Sequence, residues 1–135
     1  MRMGLMFAFF AVVAAPPSFG GAVYWNSPEC QKNQRTMEEC AAQNASAADA
    51  ELNSTYREAL KKMSSAAAVK RLRSAQRAWL AYRDSECLVK VGPMESGGSM
   101  HSLLWTLCIE DLTNLRIAAL REILDCSEEP CPPTE

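Results

Sequence analysis

The sequence predicts an all-α fold: an antiparallel three-helix bundle or hairpin, stapled by disulfides and preceded by a cleaved signal peptide. Three observations carry this expectation. Long apolar stripes recur at three- and four-residue steps, and no period-two alternation supports strands. An even number of cysteines, six, follows an N-terminal apolar run of export-signal length. The breaks between the stripes are short and built from Ser, Gly and Pro.

The chain opens "MRMGLMFAFFAVVAAPPSFGGAVYW". Arg2 supplies a basic start, and residues 3–15 form an apolar run too short for a comfortable membrane span. The small residues at 20–22 place cleavage after Ala22, whereas a cut after Ala15 would be followed directly by Pro16. The expected division is therefore a signal peptide at 1–22, a helical domain at 23–126 and a flexible, acidic, Pro-rich tail at 127–135. Such a protein is periplasmic or secreted, with no stable membrane insertion after cleavage.

Without Arg2, 13 basic side chains face 16 acidic ones, a net charge of −3. That balance argues against nucleic acid, which needs clustered Lys and Arg to neutralise phosphates. A basic protein suits it better as a partner.

The first helix is expected from the "TMEE" stretch. Thr36 caps it and Glu39 reaches back, as in a capping box. Met37, Ala41, Ala45, Ala48, Leu52, Tyr56, Ala59 and Met63 then form one stripe unbroken by Gly or Pro. Ser64 and Ser65 offer the cap of a second helix, which carries Val69, Leu72, Gln76, Trp79, Arg83 and Cys87 and stops at Gly92 and Pro93. After the loop "GPMESGGS", Ser99 caps a third helix with Leu103, Leu104, Leu107, Cys108, Leu112, Leu115, Ala119 and Ile123. Short connections predict antiparallel neighbours, with Tyr56, Trp79 and Trp105 as the large anchors.

Sequence alone does not fix the connectivity of six cysteines. The spacings favour local bridges. Cys30–Cys40 would tie the N-terminal segment to the first helix, Cys87–Cys108 would cross the second hairpin, and Cys126–Cys131 remains by elimination.

No constellation supports catalysis, and the chain is read as a non-enzyme. A thiolate at Cys87, beside Arg83 and Asp84, would need a base, and His101 is the sole histidine. Ser99 follows two glycines but lacks the strand-turn-helix frame of a nucleophile elbow. Adjacent acids such as Glu38–Glu39 and Glu110–Asp111 point apart on a helix rather than converging across a cleft. With one histidine and no Cys-x-x-Cys pair, neither a metal site nor any cofactor is expected.

The polar residues on or beside the inner stripes are the distinctive feature: Asp49, Asn53, Gln76, Arg83, Asp84 and Arg116. Buried polar groups need partners. The expected arrangement pairs Asp49 or Asp84 with Arg83 or Arg116, and Gln76 with Asn53, as a seam that specifies helix register. The competing reading is that these groups edge a groove that receives a ligand.

Three segments, "CQKNQRTMEECAAQNASAADAELNSTY", "LRSAQRAWLAYRDSEC" and "GGSMHSLLWTLCIEDLTNLRIAALREIL", resemble the LprI-like lysozyme inhibitor family over residues 30–124. The carrying features are Cys30 and Cys40 ahead of an Asp-x-x-Leu-Asn-x-x-Tyr pattern (Asp49, Leu52, Asn53, Tyr56), the Gln-Arg-x-Trp-x-x-Tyr-Arg-Asp-x-x-Cys run, and the Gly-Gly-Ser-Met loop leading to Cys108, Thr113 and Arg116. Cys126 and Cys131 lie outside the shared pattern. The resemblance implies a small exported bacterial helical protein that binds and inhibits lysozyme-type muramidases, so the implied partner is a basic lysozyme. The alternative function is a non-catalytic periplasmic interaction or envelope-stress module that inhibits no lysozyme. An inhibitor must enter a concave cleft that holds two carboxyls. The loop "GPMESGGSMH" offers the expected contact: Ser96, Ser99 and His101 as donors, with Gly97 and Gly98 allowing close backbone approach.

Overall fold

The computed structural model describes residues 27–126. The signal peptide at 1–22, the start of the domain at 23 and the tail at 127–135 lie outside the described residues. So does Cys131, and with it the expected Cys126–Cys131 pairing. Three helices make up the fold: α1 (Gln34–Lys62), α2 (Ala66–Val91) and α3 (His101–Asp125). Two 3-10 turns, Met94–Ser96 and Gly98–Met100, join α2 to α3.

The helix starts show local chemistry at work. Asn33, not Thr36, caps α1: its side chain accepts from the Thr36 backbone N–H at 3.0 Å, and the Thr36 hydroxyl accepts from the Asn33 N–H at 3.2 Å. The reciprocal box exists, shifted three residues upstream of the expected one, because Asn is the stronger cap and Thr36 can close the box from the N3 position. Ser65 caps α2 by accepting from the Ala68 N–H at 3.1 Å. Gly92 ends that helix with φ +81°, a conformation glycine adopts without a Cβ clash. The expected Ser99 cap is absent. Met100 precedes α3, and no side chain caps it, because the 3-10 turn runs straight into the helix.

Long-range pairs fix the topology. Gln34 Nε2 donates to the Ser99 carbonyl, and Lys62 Nζ donates to the Leu124 carbonyl at 2.6 Å, so α1 and α3 run parallel. Cys87 bonds to Cys108, and Gln76 meets Arg116, so α2 runs antiparallel to α3. The result is an up-down-up bundle with α3 as the common partner: α1 packs along it closely, α2 less extensively, and α1 and α2 meet little.

Side-chain size explains the asymmetry. The buried positions of α1 are mostly small: Ala41, Asn44, Ala48, Thr55 and Ala59. Small side chains let α1 and α3 approach closely. The main apolar cluster joins Leu52 and Ala59 of α1 with Leu72 of α2 and Ile117 and Leu120 of α3, and Tyr56 and Trp79 pack against it half-buried. Each fully buried Leu contributes about 1.5–3 kcal/mol relative to exposure. A second cluster surrounds the Cys87–Cys108 bridge, with Leu112 buried and Trp105, Ile109 and Val91 covering it.

Both described disulfides sit at one end of the bundle. Cys30–Cys40 joins the entry segment to the start of α1, and Cys87–Cys108 joins the end of α2 to the start of α3. At the opposite end, around the 63–65 turn, the apolar cluster and the bonds from Lys62 hold α1 to α3. Among the described residues no helix is long and apolar enough to cross a membrane.

Candidate functional site

Two places gather the residues that the sequence singles out. The first is the α2–α3 loop. Its backbone is folded down rather than open. The Ser96 hydroxyl donates to the Pro93 carbonyl at 3.0 Å, and the Ser99 carbonyl accepts from Gln34 on α1. His101 is 4 % exposed and stacks on Trp105 with ring centroids 6.1 Å apart. Its Nε2 lies 2.9 Å from the Gly92 carbonyl. A carbonyl oxygen only accepts, so Nε2 carries the proton and the ring bolts the start of the loop to its end.

Gly97 is small for a packing reason: a Cβ there would collide with the His101 side chain, 2.5 Å from its Cβ and 2.6 Å from its Cγ. Gly98 holds φ +63° with open space around it. Of the five loop positions, His101 and Gly97 therefore lock the loop, while Ser96, Gly98 and Ser99 face solvent. Met94 and Met100 are exposed beside them, and sequence reasoning passed over both.

The second place is a cleft of about 520 Å³ between α1 and α2, open because those two helices meet little. Asp49, Leu52, Asn53, Tyr56 and Leu60 form its α1 wall, and Arg73, Gln76, Arg77 and Leu80 form its α2 wall. Asn53 Nδ2 donates to Asp49 Oδ2 at 3.0 Å along the exposed edge of α1. Gln76 is buried and does not bond Asn53. Its Oε1 accepts from Arg116 Nε at 3.0 Å, joining α2 to α3 beneath the cleft. Burial lowers the affinity of the Arg116 guanidinium for its proton, and Tyr56 acts electrostatically in the opposite direction.

Arg83 and Asp84 lie away from this arrangement. They pair with each other, Arg83 Nη2 to Asp84 Oδ1 at 2.9 Å, and Arg83 lies over the Trp79 ring at 5.3 Å from its centroid. The Asp84 side chain is 57 % exposed and the Arg83 side chain 15 %, and both lie on α2, so the pair joins no helices. The expected seam thus resolves into three separate pairs: Asp49–Asn53 within α1, Arg83–Asp84 within α2, and Gln76–Arg116 between α2 and α3.

Sequence reasoning missed Arg73 and Arg77. They stand one turn apart and bracket Gln76 in sequence, and that spacing was the available signal. It also missed the buried Asn44 and Thr55, whereas Thr113, part of the family-like pattern, is buried at 1 % exposure. On the other side of α1, a larger groove of about 1130 Å³ runs between α1 and α3. Glu51, Glu58, Glu110 and Asp125 line it, with Arg121 paired to Glu51. The two grooves that flank α1 therefore differ in net charge, the α1–α2 cleft positive through the arginines of α2 and the α1–α3 groove negative.

Comparison with known proteins adds the following. The family described as Lysozyme inhibitor LprI matches residues 26–120. An uncharacterized protein of Rhizobium meliloti (strain 1021) is 38 % identical over 115 residues, covering 75 % of this chain and 82 % of the relative. No solved structure matches.

Proposed function

The chain belongs to the LprI family, and on that premise we propose that it is an exported protein that binds and inhibits lysozyme-type muramidases without chemistry of its own. The family match over residues 26–120 is the observation that carries this reading. Charge is consistent with it. A cationic muramidase suits a chain with net charge −2 and an acid-lined α1–α3 groove.

The proposed contact is the loop end of the bundle. Ser96, Gly98, Ser99, Met94 and Met100 are exposed there. Two disulfides, the His101–Gly92 bond and the Gln34–Ser99 bond hold the backbone beneath them. A loop already ordered in the free protein loses little conformational freedom on entering a cleft, which favours tight binding. Export to the periplasm or beyond is part of the same reading, since disulfides persist there.

The test is lysozyme turnover with purified protein at near-stoichiometric amounts, in parallel with a Met94→Ser/Ser96→Ala/Ser99→Ala variant that keeps His101 and Gly97. Wild-type protein should inhibit, and the folded variant should inhibit much less. No inhibition by wild type in stoichiometric excess removes the inhibitor reading. Equal inhibition by the variant removes the loop as the contact.

A further inference from the structure

We propose that the α1–α2 cleft binds the C-terminal end of a peptide with an apolar last residue. The argument starts from the two walls. Arg73 and Arg77, one turn apart on α2, have no carboxylate partner among the described residues, and both line the cleft. Like charges at this spacing repel. A third guanidinium, Arg116, is half-buried beneath them and bonds only its Nε to Gln76, again with no carboxylate at ion-pair distance among the described residues. A single carboxylate seated between the rim arginines would relieve the repulsion and form charge-assisted hydrogen bonds.

The opposite wall selects a peptide over a simple carboxylic acid. Asp49 and Asn53 present carboxylate and amide oxygens there, and their one mutual bond uses an Asn53 N–H. These exposed oxygens can accept from a bound donor. The last peptide N–H of a bound chain provides one, a few ångströms from its terminal carboxylate. Between the walls, Leu60 and Leu80 offer apolar surface to a last side chain, with Leu80 38 % exposed and Leu52 buried in the core behind them. A peptide C-terminus carries a carboxylate, a neighbouring N–H and an apolar side chain in that order.

This site is separate from the loop end, and it stands or falls without reference to lysozyme. The probe is N-acetyl-leucyl-leucine, titrated into 15N-labelled protein and compared with the same dipeptide carrying a C-terminal amide. The side-chain NH2 signals of Asn53 and Gln76 should shift with the acid and barely move with the amide. Arg73→Gln/Arg77→Gln, both on exposed positions, should weaken binding of the acid roughly tenfold while leaving the helical spectrum intact. Equal binding of acid and amide, unchanged affinity in the double variant, or no shift at millimolar peptide would each overturn the proposal.

Discussion

Gln76 of α2 and Arg116 of α3 meet in the middle of the bundle, Oε1 accepting from Nε at 3.0 Å, forty residues apart in sequence. Gln76 is only 9 % exposed, so its carbonyl oxygen has little water to turn to. Arg116→Ala strands that oxygen and should lower stability by about 1–3 kcal/mol. Gln76→Leu/Arg116→Met removes both polar groups together and should recover part of the loss. Urea denaturation of Gln76→Leu, Arg116→Met and the double variant checks this; additive losses would show that the two groups do not act as a pair.

Gly97→Ala should cost about 1–3 kcal/mol, because the new methyl collides with the His101 ring and the packed loop has to open. Gly98→Ala meets no atom but strains a residue at φ +63°, for a loss of about 1 kcal/mol. Thermal melts rank the two. A Gly97→Ala protein as stable as wild type would mean that His101 is not held against the loop.

Removing Cys87–Cys108 should destabilise by about 3 kcal/mol, and removing Cys30–Cys40 by about 0.7 kcal/mol less, because the first closes a separation of 21 residues and the second one of 10. Paired Cys→Ala variants under oxidising conditions provide the comparison. The reverse order would argue that native packing, rather than loop closure, governs these bridges.

Asp84→Ala should change stability by less than about 1 kcal/mol, since its partner Arg83 lies on the same helix and the carboxylate is mostly in water. Arg83→Ala should lose more, about 1 kcal/mol, through the stem and guanidinium that cover Trp79. A loss of several kcal/mol for Asp84→Ala, measured by the same denaturation, would place that carboxylate in a buried network that the geometry does not contain.

The helices were legible in the sequence because their causes are local. Stripes at helical spacing, the lack of Gly and Pro within them, and Ser65 and Gly92 as boundary residues all act within a few positions. The two local disulfides were legible for the same reason: a hairpin of known helix lengths brings Cys87 to Cys108. The polar pairings were harder to read, since they depend on helix rotation and distance. Asn53 points to the open edge because α1 and α2 stand apart, and that separation follows from small side chains on the far side of α1. His101 reads as a loop donor in sequence, and only the close approach permitted by Gly97 explains why it is buried.

The placement of both described bridges at one end of the bundle makes redox state a switch for where the molecule comes apart. With the bridges intact, the covalent end cannot fray, and opening starts away from it, at the 63–65 turn. Once the bridges are reduced, the same end keeps only Leu103, Leu112 and the partly buried Val91, Trp105 and Ile109 as its larger apolar contacts, and opening starts there instead. Because that end carries the loop, a reducing compartment would loosen the proposed contact surface while the Leu52–Leu72–Leu120 half stays folded. Activity and overall foldedness would then part company, with the first lost well before the second.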